Sequence, residues 1–275
     1  MGKRISFARG TWENLTRREA VAGRVAVNED FSDPVGLARR MGFEPDAIQE
    51  RVLRSTARRG VLNCTRQWGK STVSAAKAVH HALARPGALV IVGSPSARQS
   101  GEFLRKAQGM VRALGVEVRG DGFNELSILL ANESRIVGLP QSEATTRGLS
   151  GATLLMIDEA SRVEDSFYKS LRPLLSTTNG AVWLLSTPCE KRGFFYEAWE
   201  HGGDRWERVR VQATDCPRIH PEFLEEERSA LGQAWFRQEY MAEFMDIGGG
   251  LFDRELVEAA LTDELEPVDM GFCKR

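Results

Sequence analysis

Cysteines and aromatics are few in this sequence, long apolar runs are missing and net charge is almost nil; each shortage excludes something. The four cysteines, Cys64, Cys189, Cys216 and Cys273, are scattered and form no CxxC pair. That argues against a zinc site or a disulfide framework and suits a reducing cytosol. No apolar run approaches the roughly 20 residues that a membrane span needs, and the opening MGKRISFARG lacks the apolar centre of a signal peptide. A net charge of −1 excludes a uniformly basic nucleic-acid coat. Internal repeats and low-complexity tracts are lacking too.

What remains is ordinary: 275 residues, 42% hydrophobic and 27% charged, enough for one large or two small domains with a full core. The charge is uneven, however. Residues 1–70 hold 14 Lys/Arg against 8 Asp/Glu, a net +6, and residues 201–275 hold 9 against 17, a net −8. Such asymmetry allows a local anionic partner without demanding one.

Residues 1–40 mix arginine, glutamate and short apolar pieces, an arm or partly helical lead-in. From Pro45 the pattern becomes regular. DAIQERVLRSTARR has helical spacing with Ile48, Val52 and Leu53 on one side. GVLNCT predicts a short buried strand, and STVSAAKAVHHALAR a helix ended by Pro86-Gly87. ALVIVGS (88–94) is a continuous apolar strand of the kind buried in parallel sheets, and a helix follows over about 97–113. LSILLA and SRIVGLP predict a hairpin turned at Asn132-Glu133. Next come ATLLMIDEA (152–160), a helix near 165–175, the strands GAVWLLSTP (180–188) and WERVRVQA (206–213), and a helical run PEFLEEERSALGQAWFRQEYMAEFM. IGGGLF (247–252) predicts a linker before an acidic extension. Apolar strands alternating with helices point to an α/β fold with a mainly parallel central sheet flanked by helices. The expected division is a lead-in 1–40, a main domain 41–246, and a linker with the start of a further domain at 247–275.

Two segments carry chemistry. CTRQWGKST, Cys64 to Thr72, ends as a phosphate-binding loop ends, in Gly69-Lys70-Ser71, although Cys64 stands where the loop's first glycine is usual. A triphosphate must be held by backbone N–H groups, a lysine and a hydroxyl that ligates Mg²⁺. The strand before and the helix after put this loop at a helix N-terminus, where N–H donors and the positive dipole end face an anion. Lys70 would contact the β and γ phosphates and Ser71 would hold the metal. Arg66, Gln67, Trp68, Gly69 and Thr72 complete the nucleotide-binding stretch. Downstream, LLMIDEA has the form of a Walker B strand: Asp158 would reach the Mg²⁺, usually through water, and Glu159 would polarise the attacking water as general base. The blander alternative is an acidic pair capping the next helix. The order of motifs, with ALVIVGS between them, favours the RecA-like, additional-strand, catalytic-glutamate branch of P-loop NTPases, with ATP and Mg²⁺ as cofactors.

From about Phe43 to Phe252 these residues resemble the ATPase domain of the large terminase subunit, the DNA-packaging motor of bacteriophages and other viruses. In that family the first glycine of the loop is commonly replaced and an Arg-Gln pair precedes x-G-K-[ST], so CTRQWGKS resembles the family's variant. The resemblance implies further roles. FEPDAIQERVL is similar to an adenine-recognising Q motif with Gln49 reading the adenine edge. GSPSARQS (93–100) is similar to the segment after the second strand of helicase-like motors, or is simply a loop and helix cap. LLSTPCEKRGFFYEAW resembles the coupling motif, with Ser186 and Thr187 sensing the γ-phosphate. WFRQEYMAEFMD is similar to the F-x-x-E-Y-x-x-x-F signature that closes the ATPase domain, read here as an amphipathic helix packing its aromatics. Two arginines compete for the transition-state cation: Arg66 in cis, and Arg147, in SEATTRGLSGA, toward a neighbouring subunit.

The resemblance further implies a homo-oligomeric ring that moves double-stranded DNA into a procapsid without sequence preference. Portal and small terminase subunit would be partners, no membrane would be involved, and the host cytoplasm would be its place, with transient docking on the procapsid. Large terminases also carry a C-terminal nuclease on two metals. Here only Asp269, in EPVDMGFCKR, could begin its carboxylate cluster, so no nuclease activity is expected of this chain. Two rival readings stand beside the motor: a helicase-like, nucleic-acid-dependent ATPase, and an assembly protein that uses nucleotide as a latch without turnover.

Overall fold

A computed structural model of the protein describes residues 31–122, 124–143 and 148–246. Most of the lead-in (1–30), Arg147, and the linker and extension at 247–275 lie outside the described residues.

Seven strands form one sheet in the order β3-β4-β2-β5-β6-β1-β7. They are β1 (Arg59–Cys64), β2 (Leu89–Ser94), β3 (Ser127–Leu129), β4 (Arg135–Pro140), β5 (Leu154–Asp158), β6 (Ala181–Ser186) and β7 (Glu207–Val211). All pairings are parallel except β3 with β4, the hairpin turned through Glu133 at φ 66°. The phosphate-loop strand β1 and the acidic strand β5 are not neighbours, because β6 lies between them. β2, which separates the two motifs along the chain, lies on the far side of β5. This is the additional-strand arrangement of the RecA-like branch.

Alternation along the central strands sends side chains to two cores. Leu62, Leu154, Met156, Trp183 and Leu185 face one core, and Val61, Leu155, Ile157, Val182 and Leu184 face the other. The first is covered by α1 (Pro34–Arg40), α2 (Ala47–Arg54), α3 (Lys70–Ala84) and α4 (Ala97–Ala113). The second is covered by α5 (Asp165–Leu171) and α6 (Gly193–Glu200). Because both faces are covered, the strands read as unbroken apolar runs.

Caps set the helix starts. Asp33 accepts from the amides of Val35 and Gly36 at 3.1 and 3.0 Å ahead of Pro34. Asp46 and Gln49 form a reciprocal capping box on α2, and Ser96 caps α4. The stretch 34–40, part of the lead-in by sequence, is thus a helix whose Val35, Leu37 and Ala38 are buried in the first core. The C-terminal helical run is two helices, α7 (Pro221–Leu231) and α8 (Gln233–Tyr240). Gly232 divides them at φ 76°, ψ 158°, which no helix accommodates.

Trp183 on β6 packs flat over Gly60 of β1. Its indole N–H donates to Ala57 O at 3.2 Å, and Lys77 lies over its ring at 4.5 Å. A Cβ at Gly60 would stand 2.5 Å from that ring. Gly60→Ala is therefore expected to lower stability by about 1–3 kcal/mol through overpacking, read as a lower midpoint in thermal or urea unfolding. An unchanged midpoint would show that the ring can move.

Candidate nucleotide site

β1 hands the chain to the loop at Cys64, which is wholly buried and still extended; burial pushes its thiol up to about 12. No positive φ is required there. The left-handed positions are Gln67 (φ 61°) and Gly69 (φ 96°). Gly69 has a second reason to lack a side chain, since a Cβ would lie 3.0 Å from Gln49 Nε2.

From Gln67 through Ser71, the backbone amides find no acceptor among the described residues. They stand at the start of α3, a 15-residue helix, where unsatisfied N–H groups and the dipole attract an anion. The loop is held from behind. The Trp68 carbonyl accepts from Gln49 Nε2 at 2.8 Å and from Arg218 Nη2 at 2.5 Å. Thr65 Oγ1 and the Arg66 amide both donate to Glu239 O, at 3.1 and 3.3 Å. The Trp68 indole is fully buried in the first core and anchors the loop's middle.

In front of the loop opens a cavity of about 400 Å³. Lys70 Nζ crosses it to Glu159 Oε1 at 2.7 Å. Glu159 takes a left-handed backbone (φ 51°), which turns the chain out of β5 and aims its carboxylate at the loop. Asp158 sits beneath, 5% exposed, and accepts from the Glu159 amide at 3.1 Å. Burial holds its carboxyl above the usual range, with Lys70 pulling the other way. Ser71 lines the cavity from the first turn of α3. A buried carboxylate, a hydroxyl and a space for phosphate oxygens form a donor set that suits Mg²⁺, which keeps water and relies on one or two protein groups plus the substrate.

The structure brings Arg66, Gln67, Gly69, Lys70, Ser71, Glu159 and Thr187 to the cavity wall, whereas Asp158, expected at the metal, is buried next to Glu159 and off the wall. Other residues expected here take different positions. Trp68 lies off the wall, because its ring belongs to the core. Thr72 donates its amide to Gly69 O and lies off the wall. Ser186 is wholly buried behind it, its Oγ accepting from the Ser161 amide at 3.2 Å. Gln49, 1% exposed, spends its amide on Asp46 and Trp68 and offers no surface to the cavity. The Arg66 guanidinium is paired with the buried carboxylate of Glu239. Arg147 lies outside the described residues.

Sequence reasoning missed Lys106 and Arg162, both on the cavity wall, and Ser161, whose Oγ meets Ser186 Oγ at 2.7 Å and Thr187 O at 2.8 Å. Gln99, inside GSPSARQS, also lines the cavity. Glu239 belongs to the aromatic helix signature but serves the loop rather than the core.

The profile of the family described as terminase large subunit, T4likevirus-type, N-terminal, matches residues 61–259. The large terminase subunit of Escherichia phage T5 is 27% identical over 237 residues, covering 81% of this chain and 53% of that protein. The chain spans about half the length of the curated relatives it matches. Among solved structures, the large terminase ATPase domain of Thermus phage P74-26 superposes with a TM-score of 0.67 at 24% identity, covering 76% of this chain and 97% of that one. The large terminase of another thermophilic bacteriophage, in complex with ATP-gamma-S, gives 0.60 at 12% identity, covering 72% and 52%.

A buried, protonated thiol is inert. Alkylation of the native protein near pH 8 should leave Cys64 unmodified while the partly exposed Cys189 reacts, and denaturant should release Cys64. Peptide mapping by mass spectrometry reads this directly; native labelling of Cys64 would mean that β1 opens at its loop end.

Proposed function

The chain belongs to the terminase large-subunit family, whose N-terminal portion it matches over residues 61–259, and on that premise we propose that it is an ATP-hydrolysing motor domain that drives double-stranded DNA into a viral procapsid. The observation that carries this reading is the Lys70–Glu159 pair spanning a cavity beside five backbone amides that have no acceptor among the described residues. A triphosphate entering the cavity places its oxygens on those amides and on Lys70. Lys70 then leaves Glu159, whose freed carboxylate can take the proton of a water attacking the γ-phosphorus. Mg²⁺, held from Ser71 and the Asp158 side, would neutralise charge on the β and γ oxygens. Thr187 on the wall and Ser186 behind it, joined through Ser161, give the loss of the γ-phosphate a route to the end of β6.

The proposal extends to a homo-oligomeric ring with Arg147 offered to a neighbouring site, to sequence-independent contacts with DNA phosphates that weaken with salt, and to portal and small-subunit partners in the host cytoplasm. A nucleotide latch without turnover is the rival reading, and Glu159 speaks against it, since a latch has no use for a base.

Steady-state phosphate release should be measured against protein concentration, with Mg²⁺ and with or without linear duplex DNA. Turnover should rise with concentration if neighbours complete one another's sites. Glu159→Gln should lower turnover at least about 100-fold while keeping ATP binding, and Lys70→Ala should weaken binding itself. A wild-type chain that binds ATP under every condition without turning over would favour the latch.

A further inference from the structure

Of the cations on the cavity wall, two are already matched. Lys70 faces Glu159, and Arg66 is paired with Glu239. The side chains of Lys106, on α4, and Arg162 make no hydrogen bond or ion pair with the described residues, although both line the cavity. Arg162 stands on the element that carries the general base. Ala160–Arg162 is a single 3-10 turn, closed by the Arg162 amide donating to Glu159 O at 2.8 Å. Glu159 is the left-handed residue that leads into this turn, Arg162 is its last residue, and both side chains reach the cavity wall.

The turn is held at both ends. Glu159 is locked in its left-handed conformation where β5 ends, and Ser161 is bonded to Ser186 Oγ and Thr187 O at the end of β6. The base and a guanidinium without a partner among the described residues therefore share one rigid mount, at a spacing set by backbone. Charge that builds on the transferred phosphoryl group needs a cation already in place. Arg66 must first leave a buried carboxylate to serve; Arg162 has no partner to leave among the described residues.

We infer that Arg162 is a cis-acting catalytic cation for the γ-phosphoryl group, presented by the same turn as Glu159. This rests on the ATP-hydrolysis reading above. In the step it serves, a water oxygen bonds to the γ-phosphorus as the bond to the β–γ bridging oxygen breaks. The bridging oxygen keeps the electron pair and leaves as ADP, the water's proton passes to Glu159, and phosphate is the second product. Arg162 donates hydrogen bonds to the γ oxygens and is unchanged at the end.

The test compares wild type, Arg162→Ala, Arg162→Lys and Glu159→Gln. Arg162→Ala should lower kcat at least about 100-fold with little change in ATP-gamma-S binding, and should lose most of the affinity for ADP with aluminium fluoride, which mimics the charged transition state. Arg162→Lys should recover part of kcat. Equal loss of affinity for ATP-gamma-S and for ADP with aluminium fluoride would reduce Arg162 to a general electrostatic or structural role and overturn the assignment. Mixing Arg162→Ala with Glu159→Gln subunits then decides the sense: a cis arginine gives no recovery, whereas recovered turnover means the arginine acts across an interface and sinks the cis claim. Normal kcat in Arg162→Ala overturns the inference while leaving the hydrolysis reading intact. Absence of turnover in wild type overturns both.

Discussion

Everything around the site follows from one constraint: a loop that must keep five consecutive amides open to a ligand cannot be held by its own N–H groups. It is held by its carbonyls, its side chains and its neighbours. The Trp68 carbonyl is gripped by Gln49 and Arg218, its indole is sunk in the core, and Glu239 accepts from Thr65 and Arg66 on the other flank. These partners come from α2, from the segment after β7 and from α8, so the loop's shape depends on elements distributed over much of the chain. A binding surface of open donors is preorganised only because its back is fully bonded.

Charge is arranged by the same logic. Lys70 and Arg66 each face a glutamate, so without ligand the cavity holds no unbalanced cation from the loop itself. On the proposed function, an incoming polyphosphate must outcompete Glu159 for Lys70, and doing so would unmask the carboxylate that hydrolysis would use. Binding and the freeing of Glu159 would thereby become one event, through a contact of 2.7 Å. Asp158 is held above the usual carboxyl range by desolvation, with Lys70 pulling the other way, and a further cation beside it would favour its charged form. Each half of the site is thus incomplete in a way that the triphosphate and its metal would complete.

The layout was legible in the sequence wherever period and punctuation agree. The helix over 97–113, the hairpin at Asn132-Glu133 and the strands carrying the two motifs are found where apolar runs and turn residues place them. That Arg66, Gln67, Gly69, Lys70, Ser71 and Glu159 meet at one cavity was legible because strand, loop and helix confine them to one place. Gln49 shows the limit: a glutamine upstream of a phosphate loop reads as a ligand-facing residue, yet here it serves as a cap and as a tie to Trp68. Arg162 and Lys106 were not legible at all. A cation on an exposed turn or helix has no pattern of its own, and only the packing of β5, β6 and α4 brings these two to the same wall. Glu239 was masked differently, because the aromatics beside it read as core packing.

Cys64 answers a question that the loop's spelling raises. A first glycine is needed only where the chain must turn through a left-handed or crowded conformation at that point. Here β1 runs one residue further, through Cys64, with its side chain in the core and its carbonyl end still paired to β7. The turning is deferred to Gln67 and Gly69. Gln67 carries a conformation that glycine would adopt more easily, and it stays there because the Trp68 ring behind it and the Arg66–Glu239 contacts before it fix the chain on either side. The tolerance for cysteine and the need for a buried tryptophan are therefore two sides of one geometry: the strand that reaches further in needs an anchor on the far side of the turn.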